Sequence, residues 1–366
     1  MGSTGLPMVN PTLVHTKDRS SMRKLLIILP ILLACAASTK VKAQNIPATR
    51  HRVMFYNVEN LFDPFDDSLT LDEEFTPFGD RHWTWKKMEQ KLNGIYKVIL
   101  AVGEYDPPVL VGLCEVENGF VLHQLVSQTP LSKFEYRVVH RESPDRRGID
   151  VALLYRPDRF TLQEKEFVTV RFPDEPWRTT REILYVRGLL GGDTLHVFVN
   201  HWPSKYGGEL ESEGGRYAAA YALKNKVDSI KIFYPDARIL IMGDMNDEPE
   251  SDPVARGFGA CLTAETACPY DFVNLSAILK QRGQYSYKYQ GVWGIIDQLI
   301  ASRSMLDSRH VLYTFTGNAG VFSAPFLLED DERYAGKRPF RTFIGFKYHG
   351  GYSDHLPVYL DLFSNK

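Results

Sequence analysis

Five apolar runs in this sequence each stop at side chains that can bind a hard cation or move a proton. Met54-Phe55-Tyr56 leads into Asn57-Val58-Glu59-Asn60, and Val111-Gly112-Leu113-Cys114 leads into Glu115. Val197-Phe198-Val199 ends in Asn200-His201. Ile239-Leu240-Ile241-Met242 ends in Gly243-Asp244-Met245-Asn246-Asp247, and Gly294-Ile295-Ile296 ends in Asp297. Gly350-Gly351-Tyr352-Ser353-Asp354-His355 does the reverse: its polar residues lead into an apolar run that starts at Leu356. Strand ends are rigid platforms, so polar groups carried by several of them can meet in one cleft.

The residue types suit phosphoester chemistry. Asn57, Glu115 and Asp354 offer oxygen ligands, which suit magnesium or manganese. Phosphodiester hydrolysis needs a water that is deprotonated and aimed, stabilisation of transition-state charge, and a leaving oxygen that is protonated or metal-bound. His201, Asp244, Asn246, Asp297 and His355 supply the remaining acids, bases and donors without a covalent intermediate. Each also has an ordinary reading. Asn57 can cap a strand, Glu115 can be a solvated acid, His201 can pack beside Trp202, Asp244 and Asn246 can make an Asx turn, and Asp297 can pair with an arginine. Coincidence explains the ordered set poorly.

The elements that must carry these ends are legible as short runs. Arg52 to Val58, Ile149 to Tyr155, Ile183 to Val186, Leu195 to Val199, Arg238 to Met242, Ile295 to Ala301 and Leu356 to Leu362 predict strands. Val109 to Cys114 is continuously apolar and predicts a strand buried on both faces. Met88, Leu92, Ile95, Ile99 and Val102 mark one helical stripe, and Tyr217, Ala220, Leu223, Val227 and Ile230 mark another. Strands with intervening helices predict sheets stacked under helices, without fixing the topology.

Bulk properties are permissive. The 366 residues are 44% hydrophobic, enough for a large core. The net charge of -2 means that any attraction to phosphate is local or metal-mediated. Residues 1–21 carry no readable periodicity. Arg23-Lys24 precedes the apolar run 25–37, the pattern of a signal peptide over 22–43 with cleavage after Ala43. Leu32-Leu33-Ala34-Cys35 also resembles a lipobox. Export follows, to the periplasm, the exterior or a lipid anchor at the surface, with one domain over 50–366 and no transmembrane segment in the mature chain. Cys114 reads as a buried free thiol. Cys261 and Cys268 can close a loop in an oxidising compartment or be unrelated. No His/Cys cluster shows zinc-ligand spacing, so zinc is not expected.

Together the pieces resemble the endonuclease/exonuclease/phosphatase (DNase I-like) superfamily. The matching segments are Tyr56-Asn57-Val58-Glu59-Asn60, Val111 to Val116, Gly148 to Tyr155, Asn200-His201-Trp202-Pro203-Ser204-Lys205, Gly243-Asp244-Met245-Asn246-Asp247, Ile296-Asp297-Gln298-Leu299 and Ser353-Asp354-His355-Leu356-Pro357-Val358. The resemblance implies an α/β fold, a four-layer α/β/β/α sandwich. It implies metal ligation by Glu115, with Asn57 nearby and Asp354 as a further ligand, the ion being Mg²⁺ with Mn²⁺ or Ca²⁺ as alternatives. Asp244 and Asn246 would orient the water, with Asp244 the candidate base. His355 would meet the phosphate, Asp297 would fix its tautomer, and His201 would act near the leaving group. Which of these moves the proton stays open.

Arg147, Lys205 and Arg216 are candidate phosphate contacts; each can equally be surface charge or an ion-pair partner. Two segments depart from the pattern. The acidic stretch 61–67 reads as a solvated loop or a second cation site. Arg81-His82-Trp83-Thr84-Trp85 reads as core packing or a stacking surface. The leading function is a secreted nuclease of broad specificity, with nucleic acid the foremost substrate and no protein partner. A phosphomonoesterase or lipid phosphodiesterase is the alternative within enzymes. A non-catalytic binding module ranks last, because Glu115, Asp244, Asn246 and His355 are all present.

Overall fold

Strand-length apolar runs form strands here because neighbours are available on both sides. The computed structural model describes residues 48–205, 208–265 and 267–365. The expected signal segment, its expected cleavage site and Cys35 lie outside the described residues. The early chain supplies β1 (Thr49–Leu61), β2 (Leu110–Val116), β3 (Arg137–His140) and β4 (Asp150–Tyr155). Helix α1 (Trp85–Gly103) crosses between β1 and β2, and α2 (Gly119–Ser127) follows β2. Next come β5 (Phe160–Val168), β6 (Ile183–Leu190), β7 (Asp193–His201) and β8 (Arg238–Asp244), with α3 (Glu209–Phe233) crossing between β7 and β8. Then follow β9 (Phe272–Asn274), α4 (Leu275–Gln281), β10 (Tyr287–Tyr289), β11 (Val292–Gly294) and β12 (Asp297–Ser302). The chain closes with β13 (Leu312–Tyr313), β14 (Ala319–Val321), β15 (Leu328–Asp330), β16 (Lys337–Pro339), β17 (Phe343–Ile344), β18 (Lys347–Tyr348) and β19 (Val358–Ser364).

Two sheets result. The first runs β13-β19-β1-β2-β4-β3, with β14 also on β19; the second runs β5-β6-β7-β8-β12-β9. Within them only β1–β2 and β7–β8 are parallel pairs. Parallel neighbours need a long crossover, which α1 and α3 provide.

Alternation along the strands makes the layers. Val53 and Phe55 on β1 and Leu240 and Met242 on β8 meet in one core between the sheets. The intervening Met54 and Tyr56 pack with Met88, Leu92, Ile95 and Ile99 of α1. Ile239 and Ile241 pack with Ala220, Leu223 and Val227 of α3. This is the expected α/β/β/α sandwich. Both helical stripes are buried apart from Tyr217, which is half-buried.

Several elements were invisible in the pattern. Edge strand β5 buries little of its length, and the hairpins between 325 and 348 have no periodic run. Trp83 is fully buried and its Nε1 donates to the Phe62 carbonyl at 2.8 Å, so it packs as a core residue. The acidic stretch is not wholly solvated: Asp63 is buried and accepts from Asn118 Nδ2 at 2.9 Å. Cys261 and Cys268 are disulfide-bonded, and Cys114 is a buried free thiol. Among the described residues no helix is long and apolar enough to cross a membrane.

Candidate active site

Strand direction explains the convergence. Parallel pairs present their C-terminal ends on one edge, and antiparallel neighbours present their beginnings on that same edge. Asn57 of β1 pairs across to Cys114, beside Glu115. His201 of β7 stands in register with Asp244 of β8, and Asp244 with Asp297 at the start of β12. On the other flank β19 runs antiparallel to β1, with Val358 opposite Phe55, which leaves Asp354 and His355 just ahead of it at the same edge. Ser353 Oγ donates to the Asn57 carbonyl at 2.7 Å and ties that segment down.

The first-sheet ends are irregular. The β1–β2 register shifts between Asn57 and Leu61, and the β2–β4 register shifts between Cys114 and Val116. Glu59, Asn60 and Glu115 all have left-handed backbone, with φ of 51°, 56° and 58°. Bulges re-aim side chains, and strained residues of this kind gather at functional sites. Here they turn the half-buried Glu115 inward, where Oε2 accepts from the Asn60 amide at 3.0 Å and Oε1 from Asn57 Nδ2 at 3.3 Å. Asn57 Nδ2 also donates to Asp244 Oδ2 at 3.0 Å, while its Oδ1 is held by the Glu59 amide at 2.9 Å. The expected ligand oxygen of Asn57 therefore faces backbone, and its amide nitrogen bridges two carboxylates.

The second-sheet ends are regular and dry. Asp244 is 2% exposed and His201 4%. Asp244 Oδ1 accepts from the Asn246 amide at 2.8 Å. Asn246 sits at φ 50°, and its Nδ2 is engaged by the Trp202 carbonyl at 2.9 Å, which leaves only its oxygen side to the cleft. His355 Nδ1 and Asp297 Oδ2 are 2.7 Å apart, and Ser286 Oγ donates to the same oxygen at 2.6 Å. His355 Nε2 then points toward Asp244 Oδ2 at 3.9 Å and Asp354 Oδ1 at 4.0 Å. His201 Nε2 is also 3.9 Å from Asp244 Oδ2.

These surroundings push the titrations apart. Burial, reinforced by Asp297, raises Asp244 to about 7, against the pull of His355. Burial works against the charged His355 ring, but Asp297, with Asp244 and Asp354 behind it, raises that ring well above the usual histidine range. Burial and the charges of Arg181, Arg147 and His355 hold His201 well below that range. On two sides of Asp244, His355 is thus pushed toward its charged form and His201 toward its neutral one, the separation that acid–base roles require.

Of the three cations expected at phosphate, Arg147 and Lys205 are exposed, and Arg147 donates to Asn60 Oδ1 at 3.2 Å. Arg216 lies deep in the fold. It is 1% exposed, its Nε donates to Asp247 Oδ2 at 2.7 Å and its Nη1 to Ser212 Oγ at 2.8 Å. So placed, its charge ties Asp247 to the helix that carries Ser212. Lys205 reaches the other oxygen of Asp247 at 3.0 Å.

Sequence reasoning missed several neighbours. Arg341 donates to Asp354 Oδ2 at 2.9 Å and to Glu59 Oε1 at 3.3 Å. Lys91 is buried, bonds to Thr342 Oγ1 and to the Tyr352 carbonyl, and is lowered to about 8 by burial. Tyr287 lies against His355 with ring centres 4.7 Å apart. Arg181 donates to the Trp202 carbonyl at 2.8 Å, and Ser286 supports Asp297 as above. None sits at the end of an apolar run, so no local signal singled them out.

The donors fit a hard divalent cation. Glu59, Glu115, Asp244, Asp297 and Asp354 crowd one edge, and Asp297 Oδ1 is buried without a partner. Glu115 and Asp354 would hold such an ion through oxygen, the chemistry magnesium prefers.

Comparison with known proteins agrees with this geometry. The family model described as Endonuclease/Exonuclease/phosphatase family matches residues 52–364. TDP2 from D. rerio, solved with a single-strand DNA product, superposes with a TM-score of 0.51 at 16% identity, covering 87% of this chain and 100% of that one. A mannosyl-6-phosphatase from Bacteroides thetaiotaomicron gives 0.53 at 15%, covering 85% and 99%. A further Bacteroides thetaiotaomicron member gives 0.53 at 14%, covering 87% and 99%. At these identities the likeness is one of fold. No curated protein matches the sequence.

Proposed function

From its membership of the Endonuclease/Exonuclease/phosphatase family, whose members are metal-dependent phosphoester hydrolases, we propose that this chain hydrolyses a small phosphoester. A bound divalent ion would supply Lewis-acid stabilisation of charge on phosphoryl oxygens. Glu115 and Asp354 would hold it, and Asn57 spaces the Glu115 and Asp244 carboxylates. Asp244 accepts the proton of the attacking water, which the Asn246 oxygen helps to aim. His355, kept protonated by Asp297, donates from Nε2 to the phosphoryl group. Neutral His201 lies across Asp244 from it and accepts or donates on the leaving-group side. Arg147 and Arg341 meet the substrate's negative charge at the rim.

The observation that carries the size of the substrate is the ion-pair set at Asp247. Polynucleotide affinity rests on several cations neutralising backbone phosphates. Arg216 and Lys205, the residues expected to do so, both pair with Asp247. This turns the preference from the nuclease expected of the sequence toward a phosphomonoesterase or a short diester hydrolase. The mannosyl-6-phosphatase neighbour fits the same reading. The nuclease reading retains the support of exposed Arg147 and of the DNA-bound neighbour.

The deciding assay incubates the protein with Mg²⁺, Mn²⁺ or Ca²⁺ and compares plasmid DNA, RNA, inositol phosphate, sugar phosphate and sphingomyelin. Faster release of phosphate from a small substrate is expected. Efficient plasmid nicking would overturn the size argument, and insensitivity to EDTA would remove the metal. We also propose that residues 50–366 are the exported hydrolase domain. The Cys261–Cys268 disulfide supports an oxidising compartment. Cell fractionation should find the protein outside the cytoplasm.

A further inference from the structure

Cys114 lies directly behind the cleft. It is fully buried in the inter-sheet core, one residue before Glu115 and opposite Asn57 in the β1–β2 register. A lone thiol there would be packing. It is not alone: ligand atoms of Cys114, His201 and Asp244 all lie within 4.8 Å of one another. Two of the three are closer still, with His201 Nε2 and Asp244 Oδ2 at 3.9 Å. Metal–ligand bonds of zinc length at tetrahedral angles put neighbouring ligand atoms roughly 3.3–3.8 Å apart. The trio stands within about 1 Å of the upper end of that spacing.

A second observation points the same way. His201 Nδ1 is buried with no hydrogen-bond partner. The ring is therefore not tied from its Nδ1 side, and a lone pair can be turned to an ion held beside Asp244. We propose that Cys114, His201 and Asp244 form a thiophilic metal site beneath the phosphoester cleft, which takes zinc or cadmium and arrests the enzyme. Thiolate and imidazole select such ions, whereas the all-oxygen pair Glu115 and Asp354 selects magnesium. Binding releases the Cys114 thiol proton to solvent, and a water completes the tetrahedron. The ion occupies the lone pairs that Asp244 and His201 need for water activation and proton transfer, so turnover stops. The three ligands come from strands β2, β7 and β8, which is why no Cys/His spacing in the sequence shows the site.

The inhibitory half rests on the proposed hydrolysis; the binding half does not, and the two are read separately. Co²⁺ serves first as a spectroscopic probe for zinc. The wild-type protein should show a thiolate-to-cobalt charge-transfer band, displaced by Zn²⁺, and Cys114→Ala and Cys114→Ser should lack it. His201→Asn should keep the band but need at least about a hundredfold more metal, more than is usual for losing an outer-shell partner. Zn²⁺ added to Mg²⁺-supported turnover should inhibit the wild type at concentrations at least about tenfold below those needed for Cys114→Ser, a gap of about 1.4 kcal/mol. Basal turnover of Cys114→Ser should be unchanged, and thermal unfolding verifies that each variant is folded. Absence of the band from folded wild type would overturn the site. A band together with equal zinc sensitivity of wild type and Cys114→Ser would overturn the inhibition. If no phosphoester is cleaved at all, the cobalt spectrum still decides the site.

Discussion

The two parallel pairs, β1–β2 and β7–β8, are built alike and end differently. Each joins two strands through one long helix and each delivers one acid and one partner to the same edge. The β1–β2 ends are bulged, with left-handed Glu59, Asn60 and Glu115, and they leave Glu115 half-exposed. The β7–β8 ends keep register to His201 and Asp244 and bury both. A wet, bulged end suits an ion that retains waters. A dry, regular end shifts titrations, because burial penalises charge. On the function proposed above, the bulged end binds the ion, while the dry end, joined by His355 from the flank of the first sheet, moves protons.

Breaking the ion-binding end should have the largest effect. Glu115→Gln is expected to lower divalent-dependent turnover by at least about a thousandfold, the scale of losing electrostatic stabilisation of the transition state. Its thermal unfolding should hardly move. Unchanged activity would dissolve the division between the two ends. On the proton side, His355→Ala should lower kcat by at least about a hundredfold. If only KM moves, His355 binds substrate without acting on the transition state. Asp297→Asn acts through His355 and should cost roughly tenfold to a hundredfold in kcat. An undiminished rate would mean that Ser286 and the strand ends alone hold the ring.

The remaining predictions concern stability. Arg216→Met should destabilise the fold by about 2 kcal/mol in urea unfolding, because it leaves the buried Asp247 carboxylate to Lys205 alone. Here kcat and KM should stay put; a raised KM with normal stability would restore Arg216 to the substrate. The smallest effect again pairs the two sheets. His51 on β1 and His196 on β7 are each lowered to about 4, first by burial. Their folded pKa lies below the unfolded value of about 6.5, so the unfolded chain binds more protons below that pH. Their contribution to stability is therefore present above pH 6.5 and falls away as pH drops toward about 4. His51→Gln and His196→Gln should each flatten the loss of melting temperature between pH 7 and 5. Equal slopes in all three proteins would refute the shift.

Much of this was written in local pattern. The alternation of Val53, Met54, Phe55 and Tyr56 already separates an inner from an outer face, and the stripes of α1 and α3 need only counting. Asn57, Glu115, His201, Asp244, Asp297 and His355 could be named because each ends or precedes such a run. The short strands from Leu312 to Tyr348 could not, since their residues follow no period; β13 and β14 pair with the distant β19, and β15–β16 and β17–β18 are hairpins too short to show one.

By itself, then, the sequence determined the layers, the strand ends and the chemical types gathered there, because period and residue identity are local properties. Only the tertiary structure decided how those groups face one another. It turned the Asn57 amide nitrogen to the cleft, spent Arg216 on Asp247, and brought Arg341 to Glu59 across 282 residues. It also stood Cys114 beside His201 and Asp244. Orientation and ion pairing depend on what the folded chain places within a few ångströms, and linear spacing carries no record of that.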